Sequence, residues 1–83
     1  MTGIRIGVAG GGAWGTALAN AAALAGRDTV LWTRNPEDAA AMAERRENAR
    51  FLPGVPLRQT VAPTADLGRL ASCTAVLLVV PAQ

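Results

Sequence analysis

A cluster of glycines between an apolar stretch and an alanine-rich one leaves this chain few folds to choose from. Residues 4–9 are apolar apart from Arg5, Gly10, Gly11 and Gly12 follow, and Ala13-Trp14-Gly15-Thr16-Ala17-Leu18-Ala19 begins a helical pattern. The order is therefore buried strand, tight turn, helix. Gly10, Gly12 and Gly15 stand at the spacing G-x-G-x-x-G, and each has a physical task. Gly10 turns the chain sharply out of the strand. Gly12, having no Cβ, leaves room for a pyrophosphate beside the backbone. Gly15 lets the helix lie close to the strand. The helix start offers unpaired N–H groups and the positive end of its dipole to a phosphate. Gly10, Gly11, Gly12, Ala13, Trp14 and Gly15 are thus candidate dinucleotide-binding residues, Ala13 and Trp14 through their main chain. The competing reading is a strand-to-helix turn without a ligand.

The rest of the chain repeats the pattern. The first helix is expected over about residues 13–25, with Ala17, Leu18, Ala21, Ala22 and Leu24 as its packing face and Gly26 as its stop. A second strand follows at about residues 29–33. The second helix has Asn35 as N-cap, Pro36 at its first position and Glu37 and Asp38 facing the dipole; it runs through Ala39, Met42 and Ala43 to about Arg46. Residues 48–58 read as a loop with a turn at Pro53-Gly54. A short strand at 59–62, a short helix at 65–71 with Thr64 as cap and Asp66 in its first turn, and a strong strand at 74–80 complete the chain. This βαβαβαβ order predicts an α/β fold. Right-handed crossovers give a parallel sheet of about four strands in order 3-2-1-4, half of a doubly wound Rossmann fold.

Composition limits the chemistry. Eighty-three residues make at most one small domain. The net charge of +2 comes from eight basic residues, all arginine, against six acidic ones. The arginines are scattered rather than striped, which argues against nucleic acid. Without histidine or lysine, the commonest general base, a Schiff base and an ammonium acid are all missing. Cys73 is the single cysteine, so no internal disulfide and no zinc cluster can form, and its place before an apolar strand reads as structural. The longest aliphatic run, residues 75–82, is too short to span a bilayer, and no signal peptide precedes the first strand. No catalytic and no metal-binding residue is expected here, and the location expected is cytoplasmic.

Which dinucleotide fits is decided at the end of the second strand. An NAD-selective site usually has a carboxylate there, about twenty residues past the glycines. This chain has Thr33-Arg34-Asn35. Arg34 can pair with a 2′-phosphate and lie over the adenine, which favours NADP over NAD. Thr33 and Asn35 retain the means to hydrogen-bond a ribose. Trp14 is either core packing or a main-chain donor whose ring is incidental. Trp32 reads as core. Phe51, in a loop, either closes over a cofactor or packs on the second helix.

The runs Gly10 to Ala19, Leu31-Trp32-Thr33-Arg34, Arg46 to Gly54 (which holds Phe51-Leu52-Pro53-Gly54), Thr64 to Leu67 and Val79 to Gln83 together resemble NAD(P)-dependent glycerol-3-phosphate dehydrogenases of the bacterial type. The resemblance covers nearly the whole chain. It implies that the glycine turn, Ala13, Trp14 and Arg34 contact NAD or NADP. It also implies reduction of dihydroxyacetone phosphate to sn-glycerol 3-phosphate for phospholipid synthesis. Members of that family often have Ser where Ala13 and Ala82 stand here. The family's catalytic lysine and helical substrate domain would lie beyond Gln83, so residues 1–83 are expected to be the first part of the dinucleotide-binding domain, inactive alone. Two other readings are a related 3-hydroxyacid-type dehydrogenase, which the Phe-Leu-Pro-Gly run disfavours, and a free-standing nucleotide-binding module. For residues 1–83 taken alone, strand four would be an apolar edge, and a homo-oligomer or self-association through that strand is expected.

Overall fold

Val8, Leu31 and Val61, all but closed to solvent, lie on one face of three neighbouring strands, and the helices are built over them. The computed structural model describes residues 4–79. Its elements are β1 (Arg5–Ala9), α1 (Ala13–Leu24), β2 (Asp28–Trp32), α2 (Pro36–Arg45), β3 (Glu47–Asn48), β4 (Leu52–Pro56), β5 (Val61–Thr64), a 3-10 turn (Leu67–Ser72) and β6 (Ala75–Leu78). The sheet order is β5-β2-β1-β6 with every pairing parallel. This is the expected 3-2-1-4 order once the small β3–β4 ladder is set aside, and it is half of a Rossmann fold.

Side-chain alternation gives the sheet two unlike faces. On one, Val8, Leu31 and Val61 meet Ala19 of α1, Met42 of α2 and Leu57. On the other, Ala9, Val30 and Leu70 form a smaller cluster with Trp32 and Cys73, roofed by the 3-10 turn. Trp32 is thus partly core, with its indole N–H donating to the Ala65 carbonyl at 3.1 Å. Cys73 is half-buried and packs there as a small apolar side chain.

Four local expectations need correction. The buried side of α1 is Gly15, Thr16 and Ala19, whereas Ala17, Leu18, Ala21 and Leu24 are exposed. Close approach at Gly15 sets the helix's rotation, and Ala19, four positions from Gly15 and three from Thr16, follows them inward. The segment after α2 is an irregular antiparallel ladder, β3 with β4, rather than a plain loop. Its reversal falls at residues 49–51, where the Asn48 side-chain carbonyl accepts from Phe51 N–H, and not at Pro53-Gly54, which lies inside β4. Asn supplies such a turn through its own side chain. The third sheet strand is Val61–Thr64 rather than 59–62, because Pro63, lacking an N–H, is acceptable on an edge strand. Finally, Asp66 rather than Thr64 caps the 3-10 turn, accepting from Gly68 N–H at 2.9 Å, while the Thr64 hydroxyl accepts from Asp66 N–H. The last strand is seen to Leu78, and its expected end at Val80 lies outside the described residues.

Arg46 ties these parts together. It ends α2 in the left-handed region (φ 54°), uncommon for a residue with a side chain. Its guanidinium donates to the carbonyls of Arg58 and Val61, each at 2.7 Å, and its own carbonyl accepts from Leu57 N–H. The base of the ladder is thereby fastened to β5.

Candidate functional site

The strands end level with one another. Ala9 stands opposite both Trp32 and Leu78, and Trp32 opposite Thr64. Each ladder is extended one step by a backbone bond, from Gly10 N–H to Trp32, Thr33 N–H to Thr64 and Val79 N–H to Ala9. After β1 the chain turns one way to β2 and β5, then returns to β6 on the other side. That reversal leaves a crevice outside the carboxyl ends, where α/β sheets bind ligands. A cavity of about 870 Å³ lies there, lined by Gly10, Gly11, Gly12, Ala13, Trp14, Gly15, Trp32, Thr33, Arg34, Asn35, Asp38, Arg50, Phe51 and Val79. Every candidate cofactor residue from the sequence faces this one space.

The glycines differ in what they allow. At Gly15 a Cβ would come within 1.7 Å of the Gly10 carbonyl oxygen, so α1 can approach the turn only with glycine there. Gly10 has φ +143°, and a Cβ would sit 2.6 Å from the Val79 carbonyl oxygen. At Gly11 a Cβ would meet the Thr33 side chain at 2.7 Å. At Gly12 a Cβ would meet nothing within 4 Å. Gly12 borders open space, as a residue facing a ligand would. It is also the N-cap of α1, with no side chain capping that end and no acidic residue in the first turn. The helix's first N–H groups have no intrahelical acceptor, and anions are favoured beside them.

A buried network braces this turn from behind. Asn48 is 3% exposed. Its amide nitrogen donates to the Gly11 carbonyl at 2.7 Å and to the Thr16 hydroxyl at 2.8 Å. The Thr16 hydroxyl donates to the Gly12 carbonyl at 2.8 Å. Sequence reasoning placed Asn48 in a loop and gave Thr16 no role. The one available signal was an amide residue just after a helix, able to bond backbone groups.

The opposite wall is built from side chains. Arg34 is exposed at the end of β2 and enters no ion pair among the described residues. Of the two alternative ribose contacts, Thr33 is buried next to Gly11, and the Asn35 side-chain oxygen accepts from Glu37 N–H at 2.8 Å as the cap of α2. Arg50 pairs with Asp38 at 3.2 Å and lies 5.2 Å from the centre of the Phe51 ring. Phe51, 48% exposed, stands at the rim of the cavity. Trp14 is 77% exposed, so its ring is not core packing. With Arg34 and Arg50 against Asp38, the cavity carries a positive excess. No cluster of potential metal ligands occurs among the described residues.

Comparison with known proteins agrees with this geometry. The chain is 67% identical over 79 residues to glycerol-3-phosphate dehydrogenase [NAD(P)+] of Azorhizobium caulinodans, covering 95% of this chain and 24% of that protein. It is 58% identical over 78 residues to the protein of the same name from Methylobacterium radiotolerans, covering 94% of this chain and 24% of that protein. The crystal structure of glycerol-3-phosphate dehydrogenase from Coxiella burnetii superposes with a TM-score of 0.88 at 35% identity, over 95% of this chain and 25% of that one. The chain thus spans about a quarter of the length of these relatives. Residues 5–83 match the family model described as NAD-dependent glycerol-3-phosphate dehydrogenase N-terminus, and the chain belongs to that family.

Proposed function

We propose that the cavity at the carboxyl ends of β1, β2 and β6 binds NAD(P), with the pyrophosphate against Gly10, Gly11, Gly12 and the N–H groups of Ala13, Trp14 and Gly15, and with NADP preferred. The observation that carries this reading is the open side of Gly12 at an uncapped helix N-terminus, in a turn whose other glycines are closely packed. Arg34 is the residue for a 2′-phosphate. It stands where a carboxylate would select NAD, it has no ion-pair partner among the described residues, and the side-chain oxygen of neighbouring Asn35 is taken up by the cap of α2. Phe51 and the Arg50–Asp38 pair form the outer rim.

When bound, the cofactor supplies or accepts a hydride. This chain's residues hold its phosphates and orient it. The relatives are named glycerol-3-phosphate dehydrogenase [NAD(P)+]; for the longer protein we propose interconversion of dihydroxyacetone phosphate and sn-glycerol 3-phosphate, feeding phospholipid synthesis in the cytoplasm. The chain has no lysine or histidine to move the proton at the substrate oxygen, so residues 1–83 bind cofactor without turning over. No helix among the described residues is long and apolar enough to cross a membrane. Val76, Leu77 and Leu78 of β6 are exposed, and this apolar sheet edge favours self-association of the isolated chain.

Both tryptophans line the cavity, which gives a direct test. Titration with NADPH should quench their emission saturably by energy transfer to the reduced nicotinamide, and NADH should need a higher concentration. Absence of saturable quenching with either would refute the site. Equal affinities would remove the NADP preference. Assay with dihydroxyacetone phosphate should give no turnover, and sedimentation should show species larger than the monomer.

A further inference from the structure

From a nearly closed position Asn48 donates one hydrogen bond to the back of the glycine turn, at the Gly11 carbonyl, and one to the hydroxyl of Thr16, which is fully buried and itself donates to the Gly12 carbonyl. A trans peptide holds its carbonyl and the next N–H on opposite sides of one plane. Fixing the Gly11 carbonyl toward Asn48 therefore aims Gly12 N–H the other way. Fixing the Gly12 carbonyl toward Thr16 does the same for Ala13 N–H. Neither Gly11 nor Gly12 has a Cβ to resist rotation of the peptide between them. If that peptide flipped, a carbonyl oxygen would replace an N–H donor beside the phosphates.

We propose that Asn48 is a positioning residue for the cofactor: with Thr16 it clamps the Gly11–Gly12 peptide so that its N–H stays directed at the pyrophosphate. The proposal rests on the cofactor reading above, but the clamp itself also has a ligand-free signature. Asn48 reaches this task from the turn between β3 and β4, which its own side-chain oxygen closes by accepting from Phe51 N–H at 3.3 Å. One side chain thus couples the rim residue Phe51 to the phosphate-binding turn. The buried side-chain polar atoms of the described residues all have hydrogen-bond partners.

Asn48→Asp keeps the shape but replaces the donating amide with an oxygen that faces the Gly11 carbonyl. Thr16→Val removes the hydroxyl without adding charge, and serves if Asn48→Asp fails to fold. Two readouts are taken on the whole chain: the Gly12 amide resonance without ligand, and affinities for NADP and for adenosine 2′-monophosphate, which has no pyrophosphate. The clamp predicts a displaced, faster-exchanging Gly12 amide. It also predicts NADP affinity lower by roughly tenfold or more, with adenosine 2′-monophosphate little affected. Equal losses for both ligands would mean a general effect on folding and would overturn the proposal, as would NADP affinity that does not fall. If the unaltered chain binds neither ligand, the cofactor reading fails, and the Gly12 amide alone judges the clamp: an unchanged resonance in both variants overturns it.

Discussion

The two walls of the cavity are made in opposite ways. The glycine wall, Gly10 to Gly15, is main chain packed so closely that a Cβ is excluded at Gly10, Gly11 and Gly15, and it is braced by buried hydrogen bonds from Asn48 and Thr16. The facing wall is Arg34, Arg50 and Phe51, all exposed. In the proposed binding mode a ligand's phosphates would meet preset backbone on one side and exposed side chains on the other. On the proposed reading, shape is enforced at the turn and cofactor choice is set by charge across from it. Substitutions on the glycine wall should have large, steric effects, and those on the arginine wall smaller, ligand-dependent ones.

The largest effect is expected at Gly15. Gly15→Ala places a Cβ 1.7 Å from the Gly10 carbonyl oxygen, so α1 must shift off the turn. Overpacking of this severity should cost about 3 kcal/mol or more, read as a fall in the thermal midpoint. Gly12→Val should separate binding from folding. Its side chain enters open space, so the folding cost is only that of a poorer N-cap, about 1 kcal/mol, while dinucleotide binding is lost. Circular dichroism beside a titration measures both; intact binding would move the ligand off this turn. Across the cavity, Arg34→Ala should weaken NADP by about 1–3 kcal/mol, the loss of charge-assisted hydrogen bonds, and weaken NAD less. Equal losses would take Arg34 out of the 2′-phosphate role. The smallest effect belongs to Arg50→Ala. Its ion pair with Asp38 is largely solvent-exposed, so denaturant midpoints should move by no more than about 0.5 kcal/mol.

The same contrast explains what could be read from the residues alone. The glycine wall was legible because its requirements are local: spacing, an apolar strand before it and small helical residues after it. Strand order followed from handed crossovers. The place of Arg34 on the cavity wall at the end of β2 was legible too, from its distance past the glycines. The buried face of α1 was not, because contact between Gly15 and Gly10 across the turn, rather than the positions of the leucines, sets the helix's rotation. Asn48 was missed for a related reason. Its bond to Gly11 spans 37 residues and depends on a ladder that Pro53-Gly54 disguised as a turn. Trp14 left two readings open, and only its exposure separates them.

The central claim is that a dinucleotide lies across the glycine turn with its phosphates on the start of α1. Mapping backbone amide shifts on addition of NADP tests it most directly. The account predicts the largest shifts at residues 11–15, led by Gly12 and Ala13, with a second group around Arg34. A second groove lies between Ala17, Asn20, Ala21 and Leu24 of α1 and residues 55–58. Shifts concentrated there, with residues 11–15 unmoved, would contradict the account.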